Sequence, residues 1–172
     1  GEGERIISRI IKEEVDLRHL KRSLGPEIVE NLDMVPTIHW KKFDMDIYLA
    51  NPIWGSRAGN SSWTGFEMSR SINLISSRGC PYDCNFCDRH TTGGRNYRLC
   101  SSARLMQDVY EVKELYNVDF IGFVDDNFLS DKERLQSFLP KIKGVGLHWG
   151  CHGRLNEIDE ELAVKLREAG CL

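Results

Sequence analysis

Three cysteines, Cys80, Cys84 and Cys87, fall inside the stretch RGCPYDCNFCDRH at residues 78–90, in the spacing C-x3-C-x2-C. Soft thiolates at such spacing select zinc, copper or an iron–sulfur cluster. A closed structural zinc site takes four protein ligands, and four-iron clusters are commonly held by four cysteines. Here the local set has three. Such a set leaves one metal position without a protein ligand, and an open position is where catalytic metals activate a substrate or cofactor. His90 offers the competing reading. A C-x3-C-x2-C-x2-H set would close a zinc site, and the chain would then be a non-catalytic interaction module. Gly79 frees the backbone just before the first thiol and Pro81 stiffens it just after. Phe86 and the amides between the cysteines are placed to surround the sulfurs, and such contacts tune a cluster's potential.

The rest of the chain must position this loop. Residues 4–24 predict a helix, with Ile6, Ile7, Ile10, Ile11, Leu17, Leu20 and Leu24 at mostly helical spacing and Gly25-Pro26 as its stop. Residues 31–70 read as an irregular connector. Its Trp40, Trp54 and Trp63 are packing anchors, since no basic stripe accompanies them. From residue 71 the pattern is regular. A strand over 71–76 leads into the cysteine loop. A helix over 102–116 carries Leu105, Val109, Val112 and Tyr116 on one stripe. The apolar run 120–124 reads as a buried parallel strand. Ser130 and Glu133 suggest a capping box for a helix to about Lys141. A third strand is expected over 145–150, then an Asp159-capped helix with Leu162 and Leu166, closed by Gly170.

Strand and helix thus alternate three times, which predicts an α/β fold with a parallel sheet and right-handed crossovers. The spacing suits a (β/α) barrel or an open doubly wound sheet. In both, ligands sit at the carboxyl ends of the strands. The cysteine loop follows the first strand, Asp125, Asp126 and Asn127 follow the second, and His152 and Arg154 follow the third. Asp and Asn also favour simple turns, so the second group reads either as a turn or as a contact to a cofactor. Arg154 suits a carboxylate clamp and equally a structural salt bridge. His148 and His152 read as structural histidines, and Cys100, Cys151 and Cys171 as small buried residues. An incomplete sheet would leave its third strand as an unpaired edge.

The chain has 172 residues, 41% hydrophobic and 28% charged, with a net charge of −3. That balance gives no basic surface for nucleic acid. The apolar runs are too short for a membrane-spanning helix, and the charged start Gly1-Glu2-Gly3-Glu4-Arg5 does not read as a secretory leader. With clustered rather than dispersed thiols, the expectation is a cytoplasmic protein.

The segment Cys80-Pro81-Tyr82-Asp83-Cys84-Asn85-Phe86-Cys87 resembles the signature of the radical S-adenosylmethionine enzymes. The stretches GRNYR (94–98), FVDDNF (123–128), REAGC (167–171) and the opening GEGE resemble the cobalamin-dependent branch of that family. The resemblance implies that Cys80, Cys84 and Cys87 hold a 4Fe-4S cluster. It implies that S-adenosylmethionine chelates the fourth iron and is cleaved reductively to a 5'-deoxyadenosyl radical, for methylation, rearrangement or ring formation on an unidentified substrate. Phe86 would lie near the adenine, with Asp125, Asp126, Asn127 and Arg154 as further cofactor contacts. Arg98 matches a family position and would orient the loop. An electron donor such as flavodoxin or ferredoxin is implied, and cobalamin for the full-length protein. On the same resemblance, residues 1–30 correspond to the tail of a cobalamin-binding domain, 31–70 to a connector, and 71–172 to the first three βα units of a partial TIM-like barrel. Such a fragment is expected to keep the cluster motif while turning over poorly.

Overall fold

The computed structural model describes residues 2–12, 27–50, 66, 68–87 and 96–172. The first helix, α1 (Gly3–Lys12), forms where the isoleucine spacing predicts it, and buries none of its residues. The remainder of that predicted helix lies outside the described residues, as do Trp54, Trp63 and His90. Two 3-10 turns (Leu32–Met34 and Trp40–Lys42) and a short helix, α2 (Met45–Leu49), follow. They carry Val29, Leu32, Met45 and Leu49 into the main core, with Trp40 packed against it.

The central sheet is parallel. Strands β1 (Ser71–Leu74), β4 (Phe120–Phe123) and β5 (His148–Cys151) lie in the order β1-β4-β5. The register pairs Ser71 with Phe120 and Phe120 with His148. All four residues of β4 are buried, as a central parallel strand covered on both faces requires. A two-stranded antiparallel ribbon, β2 (Ser77–Arg78) and β3 (Arg98–Leu99), interrupts the first strand-to-helix connection. At the amino end of the sheet, the Asp119 carboxylate accepts from the Ser69 hydroxyl at 2.6 Å and from the Ser69 and Arg70 amides at 2.9 and 3.0 Å.

Helix α3 (Ser102–Tyr116) spans the predicted residues and buries Leu105, Met106, Val109 and Val112. The Ser101 hydroxyl accepts from the Arg104 amide at 3.1 Å, and Asn117 stops the helix in the left-handed region. Helix α4 (Lys132–Val145) departs from expectation at both ends. Its cap is Asp131, which accepts from the Arg134 amide at 2.7 Å. The Ser130 hydroxyl donates instead to Glu157 at 2.9 Å. The helix also runs past Lys141, through Pro140, to Val145. Proline removes one hydrogen bond there, yet Leu135, Phe138, Leu139 and Ile142 remain on one buried stripe, and their packing carries the helix on. The third strand therefore starts at His148 rather than Val145.

Beneath the carboxyl end of the sheet, Phe123, Phe128, Phe138 and Trp149 form a fully buried aromatic floor. Phe123 and Phe128 stack at 4.7 Å, and Trp149 lies 5.7, 5.8 and 5.5 Å from Phe123, Phe128 and Phe138. Such pairs add about 0.5–1.5 kcal/mol each beyond their burial.

The last helix, α5 (Glu160–Glu168), is capped by Asp159, which accepts from the Leu162 amide at 2.8 Å. The chain then returns to the sheet. Cys171 makes a parallel bridge with Trp149. The Trp149 amide donates to the Gly170 carbonyl at 3.1 Å and the Leu172 amide to the Trp149 carbonyl at 3.0 Å. The edge of β5 is thus partly paired, contrary to the expectation of an open third strand. Gly170 permits the approach: its φ is +90°, and a Cβ there would stand 2.6 Å from the Leu147 carbonyl oxygen. Among the described residues no helix is long and apolar enough to cross a membrane.

Candidate functional site

The sequence predicts that three strand ends meet, and side-chain hydrogen bonds tie them together. After β1 the chain turns through Ser76 into β2. Asp125, at the end of β4 and 1% exposed, grips that turn. It accepts from the Ser76 amide and hydroxyl, each at 2.8 Å, from the Ser77 hydroxyl at 2.6 Å, and from the Ser77 amide. Buried Arg134 of α4 braces the same turn, donating to the Ser76 carbonyl at 3.2 Å and hydroxyl at 3.0 Å. Its other arm donates to the Phe128 carbonyl at 3.3 Å. These bonds fix where the cysteine loop begins.

A second hub fixes the loop itself. Glu157 accepts from the hydroxyls of Tyr82 and Ser130 at 2.6 and 2.9 Å, from the Asn127 side-chain amide at 3.2 Å, and from the Arg154 backbone amide at 3.1 Å. The Arg154 guanidinium lies over the Tyr82 ring, 3.9 Å from its centroid. Tyr82 stands between Cys80 and Cys84, so this contact pins the loop to the chain beyond β5. Burial pushes the Glu157 carboxyl up, but the hydrogen bonds from Tyr82, Asn127, Arg154 and Ser130 together hold it below the ordinary range. A third tie runs from the Tyr97 hydroxyl to the Asn127 carbonyl at 2.9 Å. Burial pushes the Tyr97 phenol up to about 12.

Within the loop the Cys87 amide donates to the Cys84 carbonyl at 2.9 Å, closing a tight turn. Cys80, Cys84 and Cys87 are free thiols, partly exposed, and Phe86 is 92% exposed. Gly79 is obligatory. Its φ is +83°, and a Cβ would stand 2.5 Å from the Asn96 carbonyl oxygen.

The donor set fits an iron–sulfur cluster. Three reduced sulfurs reachable from solvent sit on a loop whose anchors, Tyr82 and Gly79, are not themselves donors. Among the described residues no three His, Cys, Asp or Glu side chains converge to hold a single ion. A tetrahedral zinc ion needs such convergence. A cubane needs the three thiolates to gather too, each on a different iron. His90, the fourth ligand of the zinc reading, lies outside the described residues.

Asp125 and Asn127 are each 1% exposed and engaged in internal hydrogen bonds, while the Asp126 side chain is exposed. The His152 ring nitrogen Nδ1 stands 3.3 Å from the Asp125 carbonyl oxygen. Cys100 is buried, and burial pushes its thiol up to about 11. Sequence reasoning missed Ser76, Ser77, Tyr82, Arg134 and Glu157 as the framework of the site. Tyr82 and Glu157 are 75 positions apart, and no spacing rule connects them. Ser76-Ser77, a hydroxyl pair between β1 and the cysteine loop, was the one available signal.

No protein-family model matches the chain. An uncharacterized methyltransferase of Pyrococcus horikoshii is 26% identical over 99% of this chain and 37% of its own length. The cytidylyl-2-hydroxyethylphosphonate methyltransferase of Streptomyces wedmorensis is 29% identical over 93% of this chain and 31% of its own. Among solved structures, the radical S-adenosylmethionine methyltransferase TsrM of Kitasatospora setae, with cobalamin and a 4Fe-4S cluster bound, superposes with a TM-score of 0.52. That match has 19% identity and covers 58% of this chain and 20% of TsrM. This chain is thus similar to named methyltransferases, and it shares its fold with a radical S-adenosylmethionine methyltransferase. It spans about a third of the length of the curated relatives it matches. The likeness to TsrM bears on the fold: an α/β arrangement with a three-stranded parallel sheet and covering helices.

Proposed function

We propose that this chain is the cluster-bearing part of a radical S-adenosylmethionine methyltransferase, with Cys80, Cys84 and Cys87 as the iron ligands. The observation that carries the proposal is the bracing of the three-thiol loop to all three strand ends, through Asp125, Tyr82 and Glu157. A cluster held by these thiolates would supply one-electron reduction of the sulfonium of S-adenosylmethionine. The chain's own residues do the positioning. Asp125 and Arg134 hold the start of the loop. Glu157 holds its middle through Tyr82. Phe86 presents an exposed ring for the adenine. Asp126 is the member of the 125–127 group placed to reach a cofactor, while Asp125 and Asn127 act from behind it. Arg154, laid over Tyr82, gives the loop a cationic flank for a carboxylate.

On this reading the parallel sheet is the beginning of a (β/α) barrel, and the pairing of Cys171 beside β5 supports a sheet that extends beyond three strands. Residues 1–30 and 31–70 are then a domain tail and a connector. In the whole protein, methylation would use cobalamin and an electron donor of the flavodoxin or ferredoxin kind. Methylation is favoured over rearrangement or ring formation because the relatives are named methyltransferases.

Anaerobic reconstitution with iron and sulfide tests the proposal. The expected product is brown, with about four irons and four sulfides per chain and broad absorption near ~400 nm. Cys84→Ala should lose the cluster and Cys100→Ala should keep it. A colourless chain that holds one zinc, or a full cluster in Cys84→Ala, would refute it.

A further inference from the structure

Arg78 and Arg98 face each other directly across the β2–β3 ribbon. Like charges so placed repel, and an isolated two-stranded ribbon is marginal even without repulsion. The acidic start of the chain resolves the conflict. Glu2 accepts from Arg98 Nη1 at 3.0 Å and from Arg98 Nη2, and pairs with Arg78 Nη1 at 3.1 Å. Glu4 accepts from Arg78 Nη2. The Val29 amide donates to Glu2 at 2.7 Å, and its carbonyl accepts from Arg98 Nη1 at 2.5 Å. The set is sheltered: the Arg98 and Glu2 side chains are 9% and 17% exposed. Arg78 is followed at once by Gly79, seated against the Asn96 backbone, and then by Cys80.

We infer that Glu2 and Glu4 are positioning residues for the cysteine loop, an acidic latch that closes the arginine ribbon from which the loop departs. Asp125 holds the Ser77 end of that ribbon, and the latch holds its Arg78 end. This inference rests on the assignment of Cys80, Cys84 and Cys87 as cluster ligands. Without the latch, two sheltered guanidiniums stand opposed with no anion between them among the described residues. The ribbon then opens locally, while the β1-β4-β5 sheet keeps its own core.

The test uses the full chain and the double variant Glu2→Gln/Glu4→Gln. Amide exchange at Arg78, Gly79, Cys80 and Arg98 should rise about tenfold or more, the scale of a lost hydrogen bond to a charged group. Exchange in β4 and β5 should not change. Alkylation of Cys80 should quicken in step, and the reconstituted cluster should show a shifted reduction potential. If the double variant does not fold, Glu4→Gln, which removes its pair with Arg78 and keeps that of Glu2 with Arg98, is read in the same way. Unchanged exchange across the ribbon would overturn the inference. The exchange measurement needs no metal, so a wild-type chain that takes up no iron would refute the cluster assignment while this arm still decides the latch.

Discussion

Replacing Asp125 by asparagine keeps the shape of the side chain and removes its charge. Asp125 accepts three hydrogen bonds at Oδ1, from the Ser76 amide, the Ser77 amide and the Ser77 hydroxyl, and one at Oδ2 from the Ser76 hydroxyl. An asparagine oxygen can keep the first three as neutral bonds. Its amino group then faces the Ser76 hydroxyl, which already accepts from Arg134. A hydrogen bond to a charged group contributes about 1.5–3 kcal/mol and a neutral one about 0.5–1.5. Three bonds each weakened by about 1 kcal/mol predict a loss of roughly 3 kcal/mol, a large share of an ordinary domain's stability. For a chain of this size that is a melting temperature lower by about 6–12 °C. Thermal denaturation of the wild type, Asp125→Asn and Asp126→Asn decides the matter. The exposed Asp126 serves as comparison, and its change should lower the melting temperature less than that of buried Asp125. Equal melting temperatures for the wild type and Asp125→Asn would refute the view that this carboxylate organises the turn.

Three further outcomes are expected. Tyr82→Phe keeps the ring beneath Arg154 but loses the bond to Glu157. Amide exchange across 82–87 should quicken, because Glu157 is left short of a donor; unchanged exchange would contradict the pinning. Gly79→Ala places a Cβ 2.5 Å from the Asn96 carbonyl at a φ of +83°. It should lower iron uptake and cost about 1–3 kcal/mol, read by reconstitution and by melting; uptake and melting equal to wild type would contradict the seat described for Gly79. The hydrogen bond from Arg98 lowers the Glu2 carboxyl from the ordinary 4.5 to about 2. A depressed carboxylate stabilises the fold above its unfolded value, and that contribution fades as pH falls from about 4.5 toward 2. The melting gap between wild type and Glu2→Gln should therefore be widest near neutrality and shrink through that window. A gap independent of pH would count against the pairing.

The sequence carried those parts of the fold that rest on local periodicity and capping. Helix α3 was legible to the residue, because Ser101, the Leu105–Val109–Val112 stripe and Asn117 act within a few positions of one another. The parallel sheet followed from alternation, and the meeting of three strand ends followed from the parallel sheet. The β2–β3 ribbon was not legible, since two residues per strand leave no alternation to detect. Helix α4 was misjudged at its cap because Ser130 and Asp131 are both competent caps, and the choice between them is made by Glu157, a residue far along the chain. The candidate site divides in the same way. The cysteines are visible as spacing. The groups that hold them in place, Asp125 with Ser76 and Glu157 with Tyr82, are 49 and 75 positions apart and meet only in the folded chain.

The cysteine loop is anchored by a small part of its length. Pro81, Asp83, Asn85 and Phe86 all face outward between the fixed points. Drift at Asn85, a member of this set with no role assigned above, would redraw the polarity and contour of the rim while sparing the supports beneath it. The face beside the thiols could therefore be reshaped at little risk to folding.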